Sequence, residues 1–242
     1  MYVLAHRGYS GKAPENTMAA FELGLSAGAD GLELDVHITK DGKIVVIHDD
    51  TLERTTNGRG RVEDHTYAEL AELDAGSWFG EEYKGERLPT LDQVCQLIKG
   101  TGKLFNVELK AGAAFQTLTE KVAEMIVAYD LVPNTIISSF NHYALAYMKQ
   151  VNPDLRTAIL TSAALYKPWE YAKGIGATAL HPHHKTVVPF IVQEAQANGF
   201  MVNPYTVDDP RDVRRMVEAG VDSVITNQVT QVKELLAELL SK

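Results

Sequence analysis

Short apolar runs alternate with longer segments whose apolar residues recur at helical spacing, almost from one end of the chain to the other. The runs at 2–5, 31–36, 104–109, 135–139, 156–160, 178–181, 200–204 and 222–226 predict strands. The segments 16–27, 90–99, 115–129, 141–149, 167–174, 187–198, 209–219 and 229–240 predict helices. Gly28, Gly199 and Gly220 each follow such a segment, where a helix stops most easily in a left-handed residue. A strand followed by a helix, repeated, implies a parallel sheet with helical crossovers. Eight such pairs predict an α/β fold that closes into a single (β/α)8 TIM barrel; a doubly wound open sheet holds eight units in 242 residues less well. The whole of 1–242 is read as one domain.

The rhythm breaks after the second strand. In HITKDGKIVVIHDD, Asp41-Gly42 reads as a two-residue turn, which joins antiparallel strands because a parallel return needs a dozen residues or more. Residues 43–48 are therefore predicted to fold back as a hairpin arm, with His48 opposite Asp35. Residues 49–89 are rich in glycine and charge but carry Trp78, Phe79 and Tyr83, too aromatic for a linker, and are expected to form an ordered rim insertion.

Composition narrows the function classes. With 23 Lys and Arg against 32 Asp and Glu, the net charge of −9 argues against a general nucleic-acid or anionic-membrane surface and leaves room for a local basic pocket. The one cysteine, Cys95, lies in the apolar pattern LDQVCQLI and is read as a buried thiol. The start MYVLAHRGYS reaches charge before any signal-like run, and no stretch approaches a membrane span, so a cytoplasmic protein is expected. The mostly polar outer helix faces are compatible with a homodimer.

The chemistry gathers at predicted strand ends. In GLELDV, Glu33 and Asp35 alternate with apolar residues and so face one way; in NVELK, Glu108 and Lys110 do the same. Carboxylates brought together in a low-dielectric mouth repel, and a divalent cation relieves this; all-oxygen ligands point to Mg²⁺ or Ca²⁺. The competing reading is an ion network with Lys110 and the arginines. His6 ends the first strand and His48 the hairpin arm, two imidazoles suited to acid–base work. Arg7 and Lys110 are candidate donors to phosphoryl oxygens. His181 stands at a strand end within the cluster HPHHK, whose spacing matches no zinc motif. NGRG at 57–60 lacks the Lys-Ser/Thr of a P-loop, and no dinucleotide fingerprint follows a strand.

AHRGYSGKAPENTMAAF (5–21), GADGLELDVHITKDGKIVVIHDDTLERTTNGRG (28–60), LPTLDQV (88–94), NVELK (106–110) and IISSF (136–140), with the weaker NPYTVDD and VDSVITN, closely resemble the glycerophosphodiester phosphodiesterase family. The resemblance implies a metal held by Glu33, Asp35 and Glu108, acid–base catalysis by His6 and His48, and phosphate contacts from Arg7 and Lys110. It further implies that Glu15 and Asn16 shape the site. The family's tryptophan before TV is Tyr205 here, a smaller aromatic floor with a hydroxyl, and the aspartate of its ITD is Asn227. The implied reaction is metal-dependent hydrolysis of a small glycerophosphodiester to sn-glycerol 3-phosphate and an alcohol. Two alternatives are a lysophospholipase D-like enzyme on the same site and a noncatalytic phosphodiester-binding barrel. Lipid access would need an apolar surface, for which Trp78 and Phe79 are the candidates; their packing onto the barrel is the plainer expectation.

Overall fold

The computed structural model describes residues 1–112 and 115–241. Among these the order is β1 (Tyr2–His6), α1 (Met18–Ser26), β2 (Gly31–Ile38), β3 (Ile44–Val46), α2 (Tyr67–Leu70), α3 (Leu91–Ile98), β4 (Leu104–Leu109) and α4 (Phe115–Ala128). There follow β5 (Thr135–Ser139), α5 (His142–Val151), β6 (Arg156–Thr161), α6 (Pro168–Gly174), β7 (Ala179–Pro182), α7 (Pro189–Ala197), β8 (Met201–Val202), α8 (Pro210–Ala219), β9 (Ser223–Thr226) and α9 (Val229–Leu240). Helix starts follow local capping chemistry: Thr17, Thr90, Asn141 and Asp209 each accept a backbone N–H of the first turn. Pro189 at the first turn of α7 starts that helix two residues later than its apolar pattern suggests.

All strands but β3 pair in parallel, in the spatial order β8-β7-β6-β5-β4-β2-β1-β9. The two ends meet through Asp222 N to Val202 O and Ile225 N to Pro204 O, both 3.0 Å, and Val207 N to Ile225 O at 2.9 Å. The predicted TIM barrel is thereby closed. β8 is shorter than the apolar run 200–204 suggests, because Pro204 has no N–H to contribute to the ladder.

The hairpin exists, but its turn differs from the expected one. Gly42 N donates to Thr39 O and Thr39 N to Lys43 O, each at 2.9 Å, so Lys40, Asp41 and Gly42 form a three-residue loop with Gly42 at φ 76°. One extra loop residue moves the register by one. Val36 pairs with Val46 and Ile38 with Ile44, which puts Ile47 rather than His48 opposite Asp35; Ile47 N donates to Asp35 O at 3.1 Å. His48 stands one step further, where the chain has left the ladder.

The arm is apolar on both faces because both are covered. Ile44 and Val46 join the main core, whereas Val45 and Ile47 pack with Leu52, Val62, Leu70, Ala75 and Leu88 in a second cluster. This cluster orders the insertion 49–89, which also forms α2 on a capping box between Thr66 and Glu69. Trp78, Phe79 and Tyr83 stack edge to face on one another, and Tyr83 Oη donates to Lys12 O at 2.7 Å, tying the insertion to the β1–α1 loop.

Candidate active site

Parallel register brings the acidic side chains together. His6 pairs with Glu33 across β1 and β2, and Asp35 with Glu108 across β2 and β4, all near the C-terminal ends of the strands where barrel sites form. Glu33, Asp35 and Glu108 are buried, and each offers an oxygen within 4.8 Å of the others. Burial, then repulsion from Asp35 and Glu108, pushes Glu33 well above the ordinary carboxylate range. Burial, then Asp35, pushes Glu108 up to about 7. Burial also opposes the charge on Asp35, but Lys110, Arg7 and His48 outweigh it and bring this carboxyl down to about 2. Asp35 Oδ1 has no well-directed hydrogen bond. Three buried, hard oxygen donors that destabilise one another's charge fit a divalent cation of the Mg²⁺ or Ca²⁺ type.

Cations surround this cluster. Lys110 Nζ lies 2.7 Å from Glu108 and 3.2 Å from Asp35. Arg7 lies 2.8 Å from Glu15 through Nη1 and 3.4 Å from Asp35 through Nε, while its backbone N donates to Glu33 at 2.9 Å. That last bond depends on an unusual backbone: Arg7 is left-handed at φ 55°, followed by Gly8 at φ 77° packed against Ala20. The ion network and the metal site inferred from the sequence are therefore one constellation. The same arginine and lysine that balance the carboxylates border the centre.

The two histidines stand in different surroundings. His6 Nδ1 lies 2.7 Å from Asn227 Oδ1, and its Nε2 is 3.9 Å from Glu33. Burial and Arg7 hold its pKa down at about 4. His48 is half-buried, with Nδ1 2.6 Å from Asp49; burial lowers its pKa as well, while Asp35 opposes the shift. Asp49 accepts from Arg54 at 2.6 and 3.0 Å, and Arg54 reaches Glu15 at 2.8 Å through two nitrogens. A continuous chain thus runs from His48 through Asp49, Arg54 and Glu15 to Arg7. Asp49 and Arg54 were missed as positioning groups by sequence reasoning; the signal available was their place in HDDTLERTT, directly after His48.

The remaining candidates divide by depth. Asn16 is buried and donates to Asp35 at 2.9 Å, so it orients a carboxylate of the triad. Tyr205 is half-buried at the mouth, edge-on to Phe140 and His183, with its hydroxyl donating to Thr161 O at 3.2 Å. His181 points into the barrel interior, fully buried, accepting from Asn203 at 3.0 Å. His183 leans on Tyr205, and His184 is tied to Asp212 at 3.3 Å and to Arg215; among the described residues, no metal-holding cluster involves the HPHHK histidines.

Comparison with known proteins decides the family. Residues 6–231 match the glycerophosphoryl diester phosphodiesterase family model. The chain belongs to this family. It is 46% identical over 226 residues to a glycerophosphodiester phosphodiesterase of Caldanaerobacter subterraneus subsp. tengcongensis, covering 93% of each chain. A phosphodiesterase of Oleispira antarctica, solved in complex with the product sn-glycerol-3-phosphate, superposes with a TM-score of 0.93 at 32% identity, covering 98% of this chain and 97% of that one. The glycerophosphodiester phosphodiesterase of Agrobacterium tumefaciens superposes with a TM-score of 0.85 at 31% identity, over 95% and 97% of the two chains. The chain is accordingly a metal-assisted hydrolase of glycerophosphodiesters, and the noncatalytic reading falls away. Among the described residues no helix is long and apolar enough to cross a membrane.

Proposed function

We infer that the reaction takes place over the Glu33–Asp35–Glu108 triad, with His6 and His48 exchanging protons with substrate and Arg7 and Lys110 holding phosphoryl oxygens. The observation that carries this assignment is the convergence of the three buried carboxylates with both imidazoles and both cations at one end of the barrel. Glu33, Asp35 and Glu108 would hold a divalent cation, which when bound would supply positive charge to offset that developing on the phosphoryl group.

The side chains divide the remaining work. Arg7 and Lys110 already balance Asp35, and a bound phosphodiester recruits them to its nonbridging oxygens. Burial lowers the pKa of both imidazoles; one of His6 and His48, unprotonated, takes up the proton lost by the nucleophile, and the other, in its protonated form, gives a proton to the leaving oxygen. Glu15 aligns Arg7 with Arg54, and Asn16 aligns Asp35. Tyr205 supplies an aromatic wall for the glycerol moiety, and His181 supports the floor from below. Chain 1–242, insertion included, works as one unit, since the insertion delivers Arg54 and Asp49 to His48. The buried Cys95 thiol, pushed up to about 12 by burial and Asp92, suits a reducing cytoplasm.

The test is release of sn-glycerol 3-phosphate from glycerophosphocholine by purified protein, first chelated and then resupplied with Mg²⁺ or Ca²⁺. Restored release is expected, with His48→Ala lowering kcat by about 10²–10⁴-fold. Undiminished turnover in the variant refutes the role given to the arm. Cleavage confined to lysophospholipids moves the enzyme to the lipid-substrate reading.

A further inference from the structure

The loop before α8 and the end of β9 place a hydrogen-bonded pair behind His6. Asn227 Oδ1 faces His6 Nδ1 at 2.7 Å, with Ser10 Oγ at the same distance from that oxygen. Asn227 Nδ2 donates to Asp208 Oδ2 at 2.7 Å. Asp208 also receives the Asn227 backbone N–H at 2.8 Å and Thr226 Oγ1 at 2.9 Å, both on its other oxygen.

This wiring permits one arrangement. A carboxylate only accepts, so the NH₂ end of Asn227 must face Asp208 and its oxygen must face His6. An imidazole nitrogen facing a carbonyl oxygen carries the proton, and in a neutral ring the other nitrogen then holds the lone pair. That other nitrogen, Nε2, is the one turned towards Glu33 and the mouth. The Asn227 amide stands between His6 and the carboxylate, which sits one hydrogen bond further back at Asp208.

We propose that Asp208, acting through Asn227, is a positioning pair that holds the His6 proton on Nδ1 and presents Nε2 to the substrate. The inference rests on the reading that His6 exchanges protons with substrate, and it assigns function to two residues that touch no reacting atom.

The decisive variant is Asp208→Asn. The oxygen of the new amide keeps the Thr226 and Asn227 backbone bonds, so its NH₂ replaces Oδ2 and faces the NH₂ of Asn227. The Asn227 amide must then turn over, presenting a donor to His6 Nδ1 and driving the proton to Nε2. The double variant Asp208→Asn/Asn227→Asp restores an acceptor against His6 while still receiving the NH₂ at 208. Two readouts are taken: the ring ¹⁵N signals of His6, assigned against His6→Ala, and kcat and KM for glycerophosphocholine with saturating divalent metal. Wild type is expected as the Nδ1–H tautomer. The single variant is expected as Nε2–H, with kcat about 10²-fold lower and KM within about twofold, and the double variant within about tenfold of wild type in kcat.

A wild type in the Nε2–H form, a single variant that keeps Nδ1–H, or a double variant with no recovery overturns the proposal. If the variants do not fold, the wild-type tautomer still decides it. An inactive wild type showing the Nδ1–H form leaves the pair standing and removes the catalytic assignment instead.

Discussion

Glu108→Gln should make the metal-free protein more stable while destroying its activity. In the absence of a cation, burial and the nearby Asp35 lift Glu108 from the ordinary 4.5 to about 7. At about 1.4 kcal/mol for each pH unit, keeping this carboxylate charged at pH 8 costs the folded state roughly 3 kcal/mol. Glutamine preserves the shape and still accepts from Lys110, now 2.7 Å from Glu108, but carries no charge. For a chain of this size about 1 kcal/mol corresponds to roughly 2–4 °C, so the variant should melt on the order of 6–12 °C higher in chelator at pH 8. The pH dependence has a definite sign. Between 4.5 and about 7 the folded state holds a proton on Glu108 that the unfolded chain releases, so wild-type stability falls as pH rises through that window. The variant should be flatter there. A cation at about 1,000 times its Kd should reverse the order, since it adds roughly 4.1 kcal/mol to the protein that binds it, more than the metal-free difference of roughly 3 kcal/mol, and far less to the one that has lost a donor. Calorimetric melting of both proteins at pH 5.5 and 8, with chelator and with Mg²⁺ or Ca²⁺, gives the four differences needed. A chelated variant that melts at or below wild type at pH 8 refutes the claim that these carboxylates strain the empty site.

Other perturbations separate positioning from stability. Arg54→Ala removes the link between Asp49 and Glu15; because Arg54 is 43% exposed, these ion pairs add little to stability, and the expected result is a nearly unchanged melting temperature with kcat down by at least about tenfold. An equal kcat in that variant shows that Asp49 holds His48 unaided. Gly8→Ala sets a Cβ 2.5 Å from the Ala20 carbonyl carbon at φ 77°, and should cost at least about 2 kcal/mol in urea unfolding, together with the Arg7 N–H bond to Glu33. A variant as stable as wild type would show that α1 can move away from this turn.

Much of the site was legible in the periodicity of the chain. Alternation in GLELDV and NVELK put Glu33, Asp35, Glu108 and Lys110 on shared faces, and the repeating strand–helix rhythm implied the barrel that brings those faces inward. His6 and Arg7 were legible because they end a strand whose neighbour carries the acids. Tertiary structure decided whatever depends on chain geometry at one-residue resolution or on contacts between distant segments. The hairpin register is the first kind: a left-handed Gly42 with three loop residues instead of two places Ile47, not His48, opposite Asp35, and residue types alone do not separate those turns. The bracing of the histidines is the second kind. Asn227 meets His6 across 221 residues of sequence, and Arg54 meets Glu15 across 39. No local pattern records such meetings, because a closed barrel makes its first and last strands neighbours only once the whole ring is assembled.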